Sequence, residues 1–331
     1  MPSALIIGGT GQIGLAVAQR LSVAGWDIRL ASRTVPPQGP AWPHVQLDRD
    51  DPGAIARALG QGADLLMDCV AFSAEDAETL LAVQADVGHI IAVSSASVYA
   101  DATGRTLDEA GDCGFPHFPV PIPENHPTIA PGPQTYSTRK VAMEHRLRDH
   151  ATTRVTILRP CAVHGPHSKH AREWWFVKRL LDGRRRIPLA YEGRSQFQTT
   201  STDAIAEAVL YASQRPAAAS LNVTDADAPT VTQIGEAIMA TMGVDAELVL
   251  MPDNLYLSGV GQTPWSVERP MVCASSLPQH RGYAEAVPAG VAWLIAAMRG
   301  RDWHTVLPQL AAYPRDHFDY AVEDAAMAAR G

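Results

Sequence analysis

Residues 4–7, "ALII", form a short unbroken apolar run of the kind seen in a parallel strand buried on both faces. The following "LAVAQRLSVAG" (15–25) carries apolar positions at helical spacing and stops at Gly25, a candidate helix C-terminal residue. The alternation continues: strands are predicted at 27–34, 44–48, 63–72, 89–99 and 154–166, and helices at 51–60, 74–88 and 136–150. Asp51 is the expected N-cap of the helix at 51–60, with Pro52 in its first turn. Strand alternating with helix predicts an α/β fold on a doubly wound parallel sheet.

The proline-rich "VPPQGPAWP" (35–43) predicts a turn, and residues 101–135, dense in proline and glycine, a long loop over the carboxyl edge of the sheet. After 167 the pattern is irregular until "STDAIAEAVLYASQ" (201–214) and "SLNVTD" (220–225), which read as a return to the sheet. Helices at 231–243 and 288–298 supply a smaller, mostly helical C-terminal lobe. The expected division is 1–166 with 200–225 for the sheet domain, and 167–199 with 226–331 for the lobe that meets substrate.

Length and composition narrow the function. A chain of 331 residues buries a sizeable core, and its formal charge of −8 argues against nucleic acid or a membrane surface as general partners. A basic island, "KRLLDGRRR" (178–186), is the local exception: a solvated helix end, or a contact for an anionic substrate through Arg184 to Arg186. Four scattered cysteines (Cys69, Cys113, Cys161, Cys273) without a CxxC pair read as reduced, mostly buried thiols. With neither a signal peptide nor a spanning run in the sequence, the expected location is cytoplasmic.

The candidate chemistry begins where the first strand ends. Glycines at 8, 9, 11 and 14 satisfy both GxxGxxG and GxGxxG between a strand and a helix, the context of the dinucleotide fingerprint and the Rossmann fold. Glycines let backbone approach a pyrophosphate, and the helix N-terminus binds its charge. The second strand ends Ser32-Arg33, where an NAD site usually places a carboxylate for the ribose 2′-OH. A guanidinium pairs bidentately with a 2′-phosphate, so NADP is expected over NAD; the alternative is a solvated arginine in a turn.

The fifth strand ends "VSSASVY" and a helix begins "YSTRK", placing Tyr136 and Lys140 four apart on one helix face. An ammonium beside a phenol favours the phenolate and lowers its pKa. Tyr136 then exchanges a proton with a substrate oxygen that Ser95 holds by a hydrogen bond.

"GGTGQIG", "SSASVY", "YSTRK", "LRPCAVHGP" and "STDAIAEAV" together resemble the extended short-chain dehydrogenase/reductases, the NAD-dependent epimerase/dehydratases, over most of the chain. The resemblance implies a Ser95–Tyr136–Lys140 active site, with Lys140 also holding the nicotinamide ribose and no metal. It implies that Gly8, Gly11 and Gly14 line the pyrophosphate, with Thr10, Gln12 and Ile13 of the same loop in contact with the cofactor. Asp48 is then expected near the adenine, Val70 and Ala71 along the cofactor, and Pro160 to Val163 near the carboxamide. It also implies a small-molecule substrate and a homodimer through the helices flanking the site.

Departures from the family pattern bear on the substrate. Ala96-Ser97 stand where dehydratases carry Asp-Glu, which argues against water elimination. Gln196 stands where nucleotide-sugar members carry an arginine seven residues before Asp203, with Arg194 two places off, and His164 replaces the usual aromatic before Gly-Pro. "HGPHSKH" spaces His164, His167 and His170 three apart, but a Gly-Pro turn makes convergence on a metal difficult. "EWWF" (173–176) reads as lobe packing, or one tryptophan over the substrate; the aromatic tail 302–320 as lobe packing or a dimer contact. The leading expectation is an NADP(H)-dependent oxidoreductase acting on a small hydroxy or keto compound. A sugar epimerase is the second, and a non-catalytic dinucleotide-sensing or RNA-binding scaffold the third.

Overall fold

A computed structural model describes residues 1–35, 41–215, 219–252, 259–278 and 280–329. The proline-rich turn expected at 35–43 falls largely on residues 36–40, outside the described residues. The chain opens with β1 (Ser3–Ile7), α1 (Gln12–Val23), β2 (Asp27–Ser32), β3 (His44–Gln46), α2 (Ala54–Leu59), β4 (Leu65–Asp68), α3 (Ala74–Leu81) and β5 (His89–Val93). Next come a one-turn α4 (Ala110–Cys113), α5 (Tyr136–His150), β6 (Arg154–Pro160), β7 (Ala162–His164), α6 (Trp174–Leu181), β8 (Arg186–Leu189) and β9 (Thr199–Ser201). The last are α7 (Thr202–Ser213), β10 (Ala219–Val223), α8 (Val231–Met242), β11 (Glu247–Leu250), α9 (Tyr283–Ala297), α10 (Trp303–Val306), α11 (Pro308–Ala311) and α12 (Tyr320–Ala328).

The chain forms two units. The first comprises Met1–Cys161, Thr202–Thr224 and Cys273–Pro278. Its seven parallel strands run in the order β10-β6-β5-β4-β1-β2-β3, the doubly wound sheet expected. Chain order reverses between β1 and β4, and the crevice at the carboxyl ends of such strands is where open α/β sheets bind ligands. β4 and β5 are buried at every residue because helices cover both faces. α1 packs with α7, tied by Arg20 to Glu207 at 2.6 Å, and α3 packs with α5.

This unit ends at Cys161 rather than 166, because Ala162–His164 pairs with β9 instead of the main sheet. It also takes in 273–278, a segment the sequence did not assign to it, where the Ala274 N–H donates to the Ile122 carbonyl at 2.8 Å. α2 begins at Ala54, not Asp51: Gly53 holds the cap position at φ 75°, and the Asp51 carboxylate pairs with Arg57. Of the cysteines only Cys273 is buried; Cys69 and Cys161 are half-buried and Cys113 is exposed, so "mostly buried" does not hold.

The second unit comprises Ala162–Ser201, Asp225–Val272 and Gln279–Gly331. It is helical as expected, but also holds two parallel strand pairs, β7–β9 and β8–β11. Trp175, Phe176, Ile187, Ile234, Trp265 and Leu294 share its core. Leu307 and Leu310 belong to the same core, so this part of the aromatic tail packs on its own unit. α9 starts five residues before Pro288, where Asp227 accepts the Tyr283 N–H at 2.8 Å and the Tyr283 ring is buried. Among the described residues no helix is long and apolar enough to cross a membrane.

Candidate active site

The glycine loop is folded tightly against its surroundings. The Gly8 and Gly9 N–H groups donate to the Ala31 carbonyl, at 2.8 and 3.2 Å. Gly8 has φ 74°, and a Cβ there would lie 2.8 Å from Val70 Cγ1; one at Gly14 would lie 2.6 Å from the Gly8 carbonyl oxygen. Gly11 holds the cap position of α1 and has no side chain to satisfy first-turn N–H groups, so an anion suits the position. Thr10, Gln12 and Ile13 complete the loop, and the Thr10 hydroxyl donates to Ser32 Oγ at 3.0 Å. These features fit a dinucleotide pyrophosphate.

Arg33 is exposed at the end of β2 and has no ion-pair partner among the described residues. Asp48 is exposed just past β3, accepting the Asp50 N–H at 3.2 Å. Its neighbour Arg49 turns inward to Asp68 and to Asp76, the latter at 2.6 Å. Asp68 also accepts the N–H groups of Val70 and Ala71 at 2.8 and 2.7 Å, which shapes the loop after β4. Sequence reasoning missed Arg49 and Asp68; their signal was a carboxylate closing an otherwise apolar strand.

Tyr136 opens α5, which Thr135 caps through a box with Thr138, while Asp108 Oδ2 accepts the Ser137 N–H at 2.8 Å. The Tyr136 side of this helix faces Ser95, which caps the short turn after β5 and acts to lower the phenol's pKa. Lys140 Nζ, buried one turn on, donates to the carbonyls of Ala71 and Val93 at 2.7 and 2.8 Å. Ser95, Tyr136 and Lys140 are thus placed near one another.

Their electrostatics differ from expectation. The Tyr136 phenol is raised rather than lowered: partial burial raises it, the Ser95 hydrogen bond opposes this, and Asp108 adds to it. Lys140 Nζ is 5.9 Å from the Tyr136 ring centroid and committed to two carbonyls. Burial lowers Lys140 itself to about 8, against the pull of Asp68 and Glu144.

Beneath this group runs a buried polar chain that the sequence reading did not anticipate. Ser94 Oγ donates to Glu144 Oε1 at 2.6 Å, and Arg159 Nε to the same oxygen at 3.0 Å. Arg159 also donates to the Tyr99 hydroxyl at 3.2 Å, and Tyr99 to Asn222 Oδ1 at 2.7 Å. The legible signals were Glu144, four residues after Lys140, and an arginine inside the apolar run of β6. Pro160 is the buried last residue of β6, next to Arg159.

In the second unit Val163 is half-buried on β7. The three spaced histidines go to three different partners: His164 to Asp225 Oδ2 at 2.7 Å, His167 to the Trp293 ring and His170 to the Tyr313 hydroxyl at 3.1 Å. Most of the basic island is paired within the unit, Arg179 with Glu323, Arg184 with Asp324 and Arg186 with Glu247 at 2.9 Å, while the exposed Arg185 donates to backbone carbonyls. Gln196 donates to the Ala228 carbonyl at 2.8 Å, and Arg194 pairs with Glu192. Trp174 and Trp175 are both core residues.

A model of the NAD dependent epimerase/dehydratase family matches residues 4–224. A 2′-dehydrokanamycin reductase of Streptomyces kanamyceticus is 28% identical over 149 residues, 44% of this chain and 37% of that protein, so the match spans well under half of its relative's length. The structure of UDP-N-acetylglucosamine 4-epimerase from Bacillus cereus superimposes with a TM-score of 0.69 at 16% identity, over 89% of this chain and 100% of that one. UDP-glucose-4-epimerase from Stenotrophomonas maltophila, with bound NAD and formylated UDP-arabinopyranose, gives 0.70 at 16% identity over 91% and 100%. At such identities the likeness to solved structures is one of fold.

Proposed function

The chain belongs to the NAD dependent epimerase/dehydratase family, and from that premise we propose that it is an NADP(H)-dependent reductase interconverting a carbonyl and a hydroxyl on a small molecule. The observation that carries this reading is Tyr136: a half-exposed phenol, protonated at neutral pH, beside Ser95 and with Lys140 Nζ 5.9 Å from its ring centroid, at the carboxyl edge of a nucleotide-type sheet. A nicotinamide dinucleotide, when bound, supplies the hydride. Tyr136 gives its proton to the substrate oxygen, and Ser95 Oγ holds that oxygen by a hydrogen bond. Lys140 has three N–H donors and uses two on Ala71 and Val93, leaving one for a ribose hydroxyl or the phenol. Gly8, Gly11 and Gly14 hold the pyrophosphate, Ser32 and Arg33 the adenosine ribose, and Asp48, Val70, Ala71 and Pro160 further cofactor contacts. NADP over NAD rests on Arg33, since the solved relative named above holds NAD. The reductase name of the curated relative supports the direction.

Epimerisation is the second reading, favoured by the fold likeness to UDP-sugar 4-epimerases. Against it, Gln196 and Arg194 are both engaged within their own unit rather than presented as a diphosphate clamp. Pairing of two copies through α3 and α5 is the assembly the resemblance supports, and sedimentation measures it.

The test uses the protein as purified. Any dinucleotide is released by denaturation and identified by mass, and NADPH and NADH are titrated into empty protein. Empty protein that binds NADPH more tightly is the expected result. Near-stoichiometric retained cofactor overturns the reductase in favour of the epimerase, and tighter NADH binding overturns the role of Arg33.

A further inference from the structure

We infer that His44 is a second determinant of cofactor choice, reading the 2′ position of the adenosine ribose together with Ser32 and Arg33. The inference rests on the NADP(H) reading above and adds a residue that no motif assigns.

β2 and β3 pair in parallel with Leu30 opposite His44, so the histidine stands beside the end of β2 on the edge strand of the sheet. Its Nε2 lies 2.8 Å from Ser32 Oγ. The Ser32 hydroxyl is a hub: it donates to the Thr34 carbonyl at 2.9 Å and accepts from Thr10 Oγ at 3.0 Å. A hydroxyl has one proton and two lone pairs. With its proton on Thr34 and one lone pair taken by Thr10, Ser32 has only an acceptor left for His44. Nε2 therefore carries a hydrogen and donates it.

The strand end thus presents a Ser32 hydroxyl whose lone pairs are taken by Thr10 and His44, so that it is left to act as a donor, beside the exposed Arg33 guanidinium. An NAD site uses this place for a carboxylate that accepts from the 2′-OH. Here residues 31–35 read Ala-Ser-Arg-Thr-Val, with no carboxylate. A 2′-phosphate offers only acceptors, which matches a donor array; Ser32 can turn its own proton from Thr34 to a phosphate oxygen while His44 continues to donate to it. Among the described side chains that meet Ser32, a free 2′-OH finds no carboxylate of the kind an NAD site supplies. His44 therefore discriminates through the polarity it imposes on Ser32, and Arg33 through charge.

The probes are 2′,5′-ADP and ADP, titrated calorimetrically into the full chain, so no substrate is needed. The wild type is expected to bind 2′,5′-ADP more tightly than ADP. His44→Ala should lower that ratio roughly tenfold while leaving ADP binding in place, and His44→Gln, which keeps an N–H donor, should retain most of the ratio. A wild-type ratio near one overturns the NADP(H) reading and the His44 role with it. A high wild-type ratio unchanged by His44→Ala overturns the His44 role alone. Equal loss for both ligands also overturns it, because that is the signature of a structural residue.

Discussion

Arg159 Nη2 lies 2.5 Å from Glu144 Oε2, with both side chains at most 3% exposed. Glu144 sits one helical turn beyond Lys140, so the ion pair fixes the helix that carries Tyr136 and Lys140 to strand β6. Removing one partner leaves an uncompensated charge in a low-dielectric interior. Arg159→Met should therefore cost about 3–5 kcal/mol in urea unfolding, and the double Glu144→Leu/Arg159→Met should recover part of that loss. A cost near zero for the single change would remove the pair from the account of this site.

Tyr136→Phe keeps the ring and deletes the proton. Under the proposed mechanism kcat/KM for reduction falls by roughly 10²–10⁴-fold, while affinity for the dinucleotide is little changed. Stopped-flow turnover and equilibrium titration separate the two; equal losses in both would make the phenol a binding group.

Lys140 is lowered to about 8 by burial, so its ammonium is present below that pH and lost as pH rises through it. Any contact needing its charge weakens in the same interval. Dinucleotide affinity measured from pH 6.5 to 9.5 should fall with an inflection near 8, and Lys140→Arg should abolish the inflection because a guanidinium stays charged. A flat wild-type profile would exclude Lys140 from cofactor binding.

Gly14→Ala places a methyl 2.6 Å from both the Gly8 carbonyl oxygen and Gly9 Cα. Backbone on both sides cannot give way as a flexible side chain would. Thermal unfolding should show a loss of about 1–3 kcal/mol, with weaker dinucleotide binding from the distorted loop. Unaltered binding would mean that the loop does not serve the cofactor.

The sheet was legible because its strands are apolar runs between helices of regular period, a pattern that local sequence carries. The glycine loop and the Tyr136–Lys140 spacing were legible for the same reason. What escaped depended on distant partners. Asp51 looked like an N-cap until Arg57 claimed its carboxylate, and Lys140 looked free to lower Tyr136, whereas two of its N–H groups donate to the Ala71 and Val93 carbonyls. The basic island read as a solvated helix end or an anion contact because its counter-charges, Glu323 and Asp324, lie some 140 positions later. His44 carried no local signal at all, since its meaning comes from the strand beside it.

Strand β6 lies between β5 and β10, yet β10 follows it in the chain by about 60 residues, from Pro160 to Ala219. At roughly 5–20 residues per second of synthesis, the outer edge of β6 stands open for about 3–12 s on the ribosome. An unpaired edge of this kind is a template for wrong pairing. Asn222, the last link from Tyr99, arrives only with β10. Synthesis thus exposes the nascent sheet on its β6 side until the final strand closes it, and a stop codon placed anywhere before residue 219 should yield a product prone to aggregate rather than a smaller nucleotide-binding domain.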